Sequence, residues 1–197
     1  MSSTTVPHVS LLNSLTYSEF IASINTLFEP APPLAQRLYT KRPFSSYDVL
    51  INVAESIVLG NELSIEEKKE IVNAHPRLGE KKERLSTFSL REQGYNDAGM
   101  GEQGIDRASG GQSATNTENT GVPEDDEVNG RLKELNMEYE NKYGFRFVVF
   151  VNGRSRREII PVFEDRLRNG DEEEELAIGL RDMISIARDR LKKVSVE

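Results

Sequence analysis

The sequence predicts an all-α, single-domain helical bundle of about eight helices, with one short extended segment and one disordered polar loop. Three observations predict it. Apolar residues recur at helical spacing between capping signals along most of the chain. Only residues 145 to 151 are β-prone, and no other run in the sequence offers them a partner strand. Residues 94 to 123 hold seven of the 14 glycines with many Ser, Thr and Asn, and bury too little to offset their ordering entropy. The part from about 101 to 123 is read as a loop inside one domain, because the helices on either side are too few to build two cores. At 197 residues a single core large enough to stand without staples is expected.

Each element has its own justification. Thr16 and Glu19 fit a capping box, with Leu15 and Phe20 at the flanking staple positions. Phe20, Ile24, Leu27 and Phe28 follow at helical spacing, and Pro30, Pro32 and Pro33 stop the helix. A short helix covers 33 to 40. A third begins near Ser46 and carries Val49, Leu50, Val53 and Ile57 on one face as far as Gly60. Ser64 and Glu67 form a second capping box, opening a helix to about Ala74. His75-Pro76 ends it, since the residue before proline is disfavoured in the α region. A basic stretch follows, and Ser89 with Glu92 repeats the capping pattern to open a fifth helix. Beyond the loop, Val128, Leu132, Leu135, Tyr139 and Tyr143 trace a stripe ending at Gly144. Residues 145 to 151 then read as a buried extended segment closed by the turn pair Asn152-Gly153. Ile160, Phe163 and Leu167 mark a seventh helix, bounded by Asn169-Gly170. Asp171 caps the last, whose acidic first turn suits the positive end of its dipole. Its apolar face is Leu176, Leu180, Met183, Ala187, Leu191 and Val194.

Composition excludes several classes. With no Cys there is no disulfide framework, thiolate nucleophile or Cys-based metal centre. Two histidines, His8 and His75, cannot build a multi-His metal site. A net charge of −8 argues against a dedicated nucleic-acid binder, and no apolar run reaches the roughly 18–20 residues of a membrane span. The first residues show neither a basic n-region nor a long apolar h-region, and the last lack an S-K-L address. The cytoplasm is the compartment expected, with the peroxisome as the alternative.

Three constellations bear chemistry. His75, at a helix terminus and held by proline, is the one side chain suited to proton transfer near neutral pH; it equally suits the negative end of a helix dipole. Glu92, with Ser89 and Gln93 beside it, can orient a histidine or hold a polar ligand, although a capping box alone would account for it. Arg146, Arg154, Arg156 and Arg157 put four positive charges with no acid into residues 146 to 157, to attract a small anion or to form a solvated face.

Taken in order, a set of short motifs resembles the OHCU decarboxylases. They are Glu29-Pro30, Arg42-Pro43-Phe44, Ala74-His75-Pro76-Arg77-Leu78-Gly79, Leu85, and Ser89-x-x-Glu92-Gln93. Leu135-Asn136-x-x-Tyr139, Tyr143-Gly144-Phe145-x-Phe147, Arg166-Leu167-x-Asn169-Gly170 and Glu175-Leu176 continue the series. The resemblance spans nearly the whole chain apart from about 101 to 123. It implies a wholly helical homodimer that needs no metal or organic cofactor. It implies decarboxylation of an anionic small molecule, 2-oxo-4-hydroxy-4-carboxy-5-ureidoimidazoline, to (S)-allantoin in urate degradation. It also implies that His75 and Glu92 are catalytic. Pro76, Ser89 and Gln93, with the backbone of Phe145, Arg146, Phe147, Val148 and Val149, would line the substrate site. Arg146 departs from the family, which often has proline there, and the polar insert is a second departure. The rival expectations are a non-catalytic helical interaction module and a lyase or hydrolase acting on a related ureido compound.

Overall fold

The computed structural model describes residues 5 to 80 and 123 to 197. In chain order these form β1 (Thr5–Val6), α1 (Val9–Ser14), α2 (Tyr17–Phe28), α3 (Pro32–Thr40), α4 (Tyr47–Leu59) and α5 (Ile65–Ala74). After them come α6 (Pro123–Tyr143), α7 (Arg156–Asn169), α8 (Glu172–Leu191) and β2 (Ser195–Val196). The architecture is all-α. The predicted fifth helix near Ser89 lies outside the described residues, as does the loop predicted from about 101 to 123 except for Pro123, which opens α6 instead.

Local hydrogen bonding explains where the helices start. The Thr16 N–H donates to Glu19 Oε2 at 3.0 Å, and the Ser64 N–H donates to Glu67 Oε2 at 2.8 Å, closing the two expected capping boxes. A third, not anticipated, opens α7: the Ser155 N–H donates to Glu158 Oε2 at 2.7 Å. Helix α7 therefore begins four residues before Ile160. Asp171 accepts from the Glu173 and Glu174 amides at the head of α8, as its position predicts.

Helix α8 forms the axis, packed against α2, α4 and α5, while α6 pairs with α7 and α3 bridges α4 and α5. Leu176, Leu180, Met183 and Ala187 of α8 are buried among Phe20, Ile24, Leu50 and Val72 in one contiguous apolar cluster. Several expectations need correcting. Val49 is 38% exposed, and the buried face of α4 is instead Leu50, Ile51, Ala54, Ile57 and Val58. Proline at the first helical position starts α3 at Pro32, and α8 ends at Leu191, leaving Val194 outside it. Helix α1 is only six residues long with Leu12 as its one buried residue, too short for a periodic signal. The strands β1 and β2 pair in parallel, Thr5 with Ser195 and Val6 with Val196, a contact invisible to local pattern.

The extended segment after α6 has no partner strand among the described residues, and side chains satisfy its backbone instead. The Arg146 N–H donates to Asn73 Oδ1 at 2.8 Å, and Val148 O accepts from Arg166 Nη1 at 3.0 Å. Phe150 O and Val151 O accept from Arg154 at 2.7 and 2.9 Å. Asn152 and Gly153, with φ of 50° and 77°, then make the tight turn that their residue types favour. Phe145, Phe147, Val148 and Val151 are buried beneath it.

Candidate active site

Proline dictates the geometry at His75. With Pro76 disfavouring the α region, His75 caps α5 in an extended conformation (φ −70°, ψ 144°), and its side chain turns inward to 3% exposure. Its carbonyl accepts from Arg146 Nη1 at 2.7 Å, and the Arg146 amide is tied to Asn73 two residues before the histidine. The helix end and the extended segment are thus stitched together around His75.

The imidazole meets a carboxylate that sequence reasoning left without a role. Glu29 Oε2 lies 3.2 Å from His75 Nδ1, close enough for an ion pair but outside the angles of a hydrogen bond. Glu29 caps α2 in the left-handed region (φ 50°, ψ 59°), and its other oxygen faces Arg190 Nη2 at 3.3 Å. Arg190, 2% exposed in the last turn of α8, also donates through Nη1 to Leu27 O at 3.5 Å. The C-terminal ends of α2, α5 and α8 therefore converge on one partly buried acid, one buried base and one buried imidazole. Among the described residues His75 Nε2 has no hydrogen-bond partner. An imidazole with a carboxylate beside Nδ1 and a buried, unpartnered Nε2 is an arrangement that can exchange a proton with a ligand.

A second buried network underlies the extended segment. Glu175, 1% exposed, accepts at Oε2 from Tyr139 Oη at 2.6 Å and from Arg166 Nε at 2.8 Å. The Arg166 guanidinium also stands 4.5 Å from the Phe147 ring centroid, and that ring stacks on Phe163 at 3.6 Å. Burial, reinforced by the bond to Glu175, pushes the Tyr139 phenol well above its ordinary range, so it remains a donor. Asp182 lies 3.5 Å from Arg166, and burial raises its carboxyl despite that guanidinium.

The predicted site residues divide accordingly. His75 and Arg146 are in direct contact and Pro76 is half-buried beside them, while Phe145, Phe147 and Val148 are buried in the apolar core with Val149 packed against it. Ser89, Glu92 and Gln93 lie outside the described residues. The expected basic cluster is dispersed: Arg146 holds the His75 carbonyl, Arg154 holds its own turn, and Arg156 donates to Asn129 Oδ1 at 2.6 Å. A cavity of about 480 Å³ opens two residues past the histidine, lined by Arg77, Glu80, Asn129, Lys133, Asn136 and Glu140 among others; His75 does not line it. Arg77 spans it to Glu140 in a bidentate pair at 2.6 and 2.8 Å. Among the described residues no group of three or more Asp, Glu or His is arranged to hold a metal ion. Sequence reasoning assigns no role to Glu29, Arg190, Arg166 or Glu175, the polar side chains of these two networks, although Glu29, Arg166 and Glu175 stand within the motifs named above.

Comparison with known proteins bears on this geometry. The OHCU decarboxylase family model matches residues 13–108 and 98–192. The uric acid degradation bifunctional protein of Bacillus sp. (strain TB-90) is 31% identical over 93% of this chain, which spans 31% of that protein's length. The 2-oxo-4-hydroxy-4-carboxy-5-ureidoimidazoline decarboxylase of Halalkalicoccus jeotgali is 28% identical over 94% of this chain and 90% of its own. Among solved structures, an OHCU decarboxylase crystallised in the presence of (S)-allantoin superposes with a TM-score of 0.54 at 20% identity, covering 82% of this chain and 89% of that one. An (S)-allantoin synthase does so at 0.58 and 19%, covering 95% and 54%. Both share the fold.

Proposed function

Because the chain belongs to the OHCU decarboxylase family, we infer that it converts 2-oxo-4-hydroxy-4-carboxy-5-ureidoimidazoline to (S)-allantoin in urate degradation. The observation that carries this reading is His75: buried, fixed by a proline and an arginine on its backbone, and with no hydrogen-bond partner at Nε2 among the described residues.

The chemistry asks little more of a protein than this. The substrate's carboxylate hangs from a carbon next to a ring C=N bond. When the C–C bond breaks and CO₂ leaves, its electron pair passes into that C=N, and the nitrogen takes up a proton. The enol so formed becomes the ketone when its hydroxyl proton leaves and the adjacent ring carbon is protonated on one face. The substrate contains its own electron sink, so we propose that no metal or organic cofactor takes part. The protein supplies orientation and a proton carrier. His75 Nε2 takes the hydroxyl proton and returns it to the ring carbon. Pro76 and the backbone of 145 to 149 form the wall against which the ring lies. We also propose that Glu92 helps fix the position and charge of His75, and that Ser89 and Gln93 hold the ureido and ring carbonyl groups.

A homodimer is proposed, to be checked by light scattering, and a cytoplasmic location, with the peroxisome as alternative, to be checked by imaging a fluorescent fusion. For the reaction itself the test is a coupled assay. Substrate is generated freshly from urate, and circular dichroism follows the chiral product with and without the protein. A rapid chiral signal that falls about 10²–10⁴-fold in a folded His75→Ala variant is expected. Only the slow racemic background with the unaltered protein, or full activity in His75→Ala, overturns the assignment.

A further inference from the structure

We propose that Glu29 is a positioning residue for His75: its carboxylate bridges the imidazole Nδ1 to the buried Arg190 guanidinium and so presents Nε2 to the substrate. The inference rests on the proton-transfer role given to His75 above.

Glu29 breaks two local rules at once. It adopts a left-handed conformation that normally falls to glycine or asparagine at a helix C-terminus. It also places a carboxylate at the negative end of a helix dipole, where a cation is preferred. Residues that violate local preference persist where the surroundings over-determine them, and such places cluster at functional sites. What over-determines Glu29 is a division of labour between its oxygens, Oε1 at 3.3 Å from Arg190 and Oε2 at 3.2 Å from His75. An ion pair serving only to join α2 to α8 would be complete at the arginine. The second oxygen is aimed at the one buried histidine of the chain.

The charge pattern fits that role. His75 faces the Glu29 carboxylate from α2, with Arg190 of α8 behind it, while Arg146 approaches from the extended segment and engages only the His75 carbonyl. Which ring nitrogen of a histidine carries the proton is set by the partner of the other nitrogen. A carboxylate at Nδ1 keeps the proton there and leaves Nε2 as the exchanging atom. Nε2 itself is buried without a hydrogen-bond partner among the described residues, while Nδ1 has the Glu29 carboxylate at ion-pair distance.

The chain's two histidines make the test direct, because exposed His8 serves as an internal reference for His75. Long-range ¹H–¹⁵N correlation on the full chain labelled at histidine reads the protonation of each ring nitrogen. In the unaltered protein Nδ1 of His75 is expected to carry the proton. In Glu29→Gln the His75 ring ¹⁵N shifts should move while those of His8 stay put. Turnover should fall at least about tenfold in kcat with KM within about twofold. His75 shifts and kcat at their original values, whatever happens to thermal stability, would reduce Glu29 to a stabilising ion pair and overturn the proposal. If Glu29→Gln does not fold, the unaltered spectrum decides alone, since an Nδ1 without a proton is incompatible with positioning by a carboxylate. Absence of turnover in the unaltered protein would defeat the decarboxylase reading instead, while the nitrogen shifts still report on the Glu29 contact.

Discussion

Replacing Tyr139 by phenylalanine removes one oxygen from the middle of the molecule and leaves the packing intact. The ring stays among Tyr143, Phe145, Phe147 and Phe163, whose centroids lie 4.6, 5.8, 5.3 and 5.6 Å away. What disappears is a 2.6 Å bond to the buried Glu175 carboxylate. Hydrogen bonds to charged groups contribute about 1.5–3 kcal/mol. Arg166 Nε still holds the same oxygen at 2.8 Å, which places Tyr139→Phe in the lower half of that range, at about 2 kcal/mol. Tyr143→Phe is the matched control. Its hydroxyl donates to the neutral carbonyls of Arg166 and Gly170 at 3.0 and 2.9 Å, and Lys142 Nζ already serves Leu167 O and Gly170 O. Its loss should therefore come to about 0.5–1 kcal/mol. In a chain of this size the two changes correspond to roughly 4–8 °C and 1–4 °C in Tm. Urea unfolding with unchanged m-values provides the free energies. Burial keeps the Tyr139 phenol protonated, so the difference between the variants should be the same at pH 6 and pH 9. A Tyr139→Phe cost no larger than that of Tyr143→Phe would refute the view that a charge-assisted bond holds this region together.

The remaining predictions concern the extended segment and its supports. Burial raises the Asp182 carboxyl above its ordinary value, so the folded protein binds that proton more readily than the unfolded chain and the ionised group opposes folding. Asp182→Asn should accordingly raise Tm at pH 7, and the gain should fade as pH falls through the raised folded value and be gone below the unfolded carboxylate value near 4; a gain that persists in acid would contradict the burial argument. Arg146→Pro should destabilise by about 1–2 kcal/mol, because proline removes the N–H that Asn73 accepts. Arg146→Ala loses the same guanidinium but keeps that amide and should cost less in the same urea titration; an equal cost would show that the amide bond to Asn73 contributes nothing.

Much of this fold was legible in sequence because its helices announce themselves locally. Thr16 with Glu19 and Ser64 with Glu67 are read within four residues, and the stripe from Val128 to Tyr143 is buried at each predicted position. The box at Ser155 is harder to see in sequence because Arg156 and Arg157, the first turn of the helix, are equally consistent with a basic loop. Val49 belongs to an apolar run in which the exposed member is decided by what packs on α4, and sequence contains only the run. The candidate site shows the same division. His75-Pro76 marks itself by residue type and by its effect on the backbone. Glu29 is an acceptable surface residue until its left-handed backbone and Arg190, 161 residues away, turn it inward. Nothing local to Arg190 marks it as buried, since a basic residue in the last turn of a helix is normally a solvated one.

The pairing of β1 with β2 bears on how long the folded state lasts. It joins residues near the two ends of the described chain, so its formation requires closing almost the longest loop that chain can make. Helices with local contacts assemble quickly, and a seam of this kind can close only on a body already docked. Interactions made after the transition state leave the rate of folding alone and slow the escape from the native basin. Buried Val6 and the cross-links from Glu197 N to Val6 O and from His8 N to Glu197 O thus act on the lifetime of the protein rather than on the speed with which it forms.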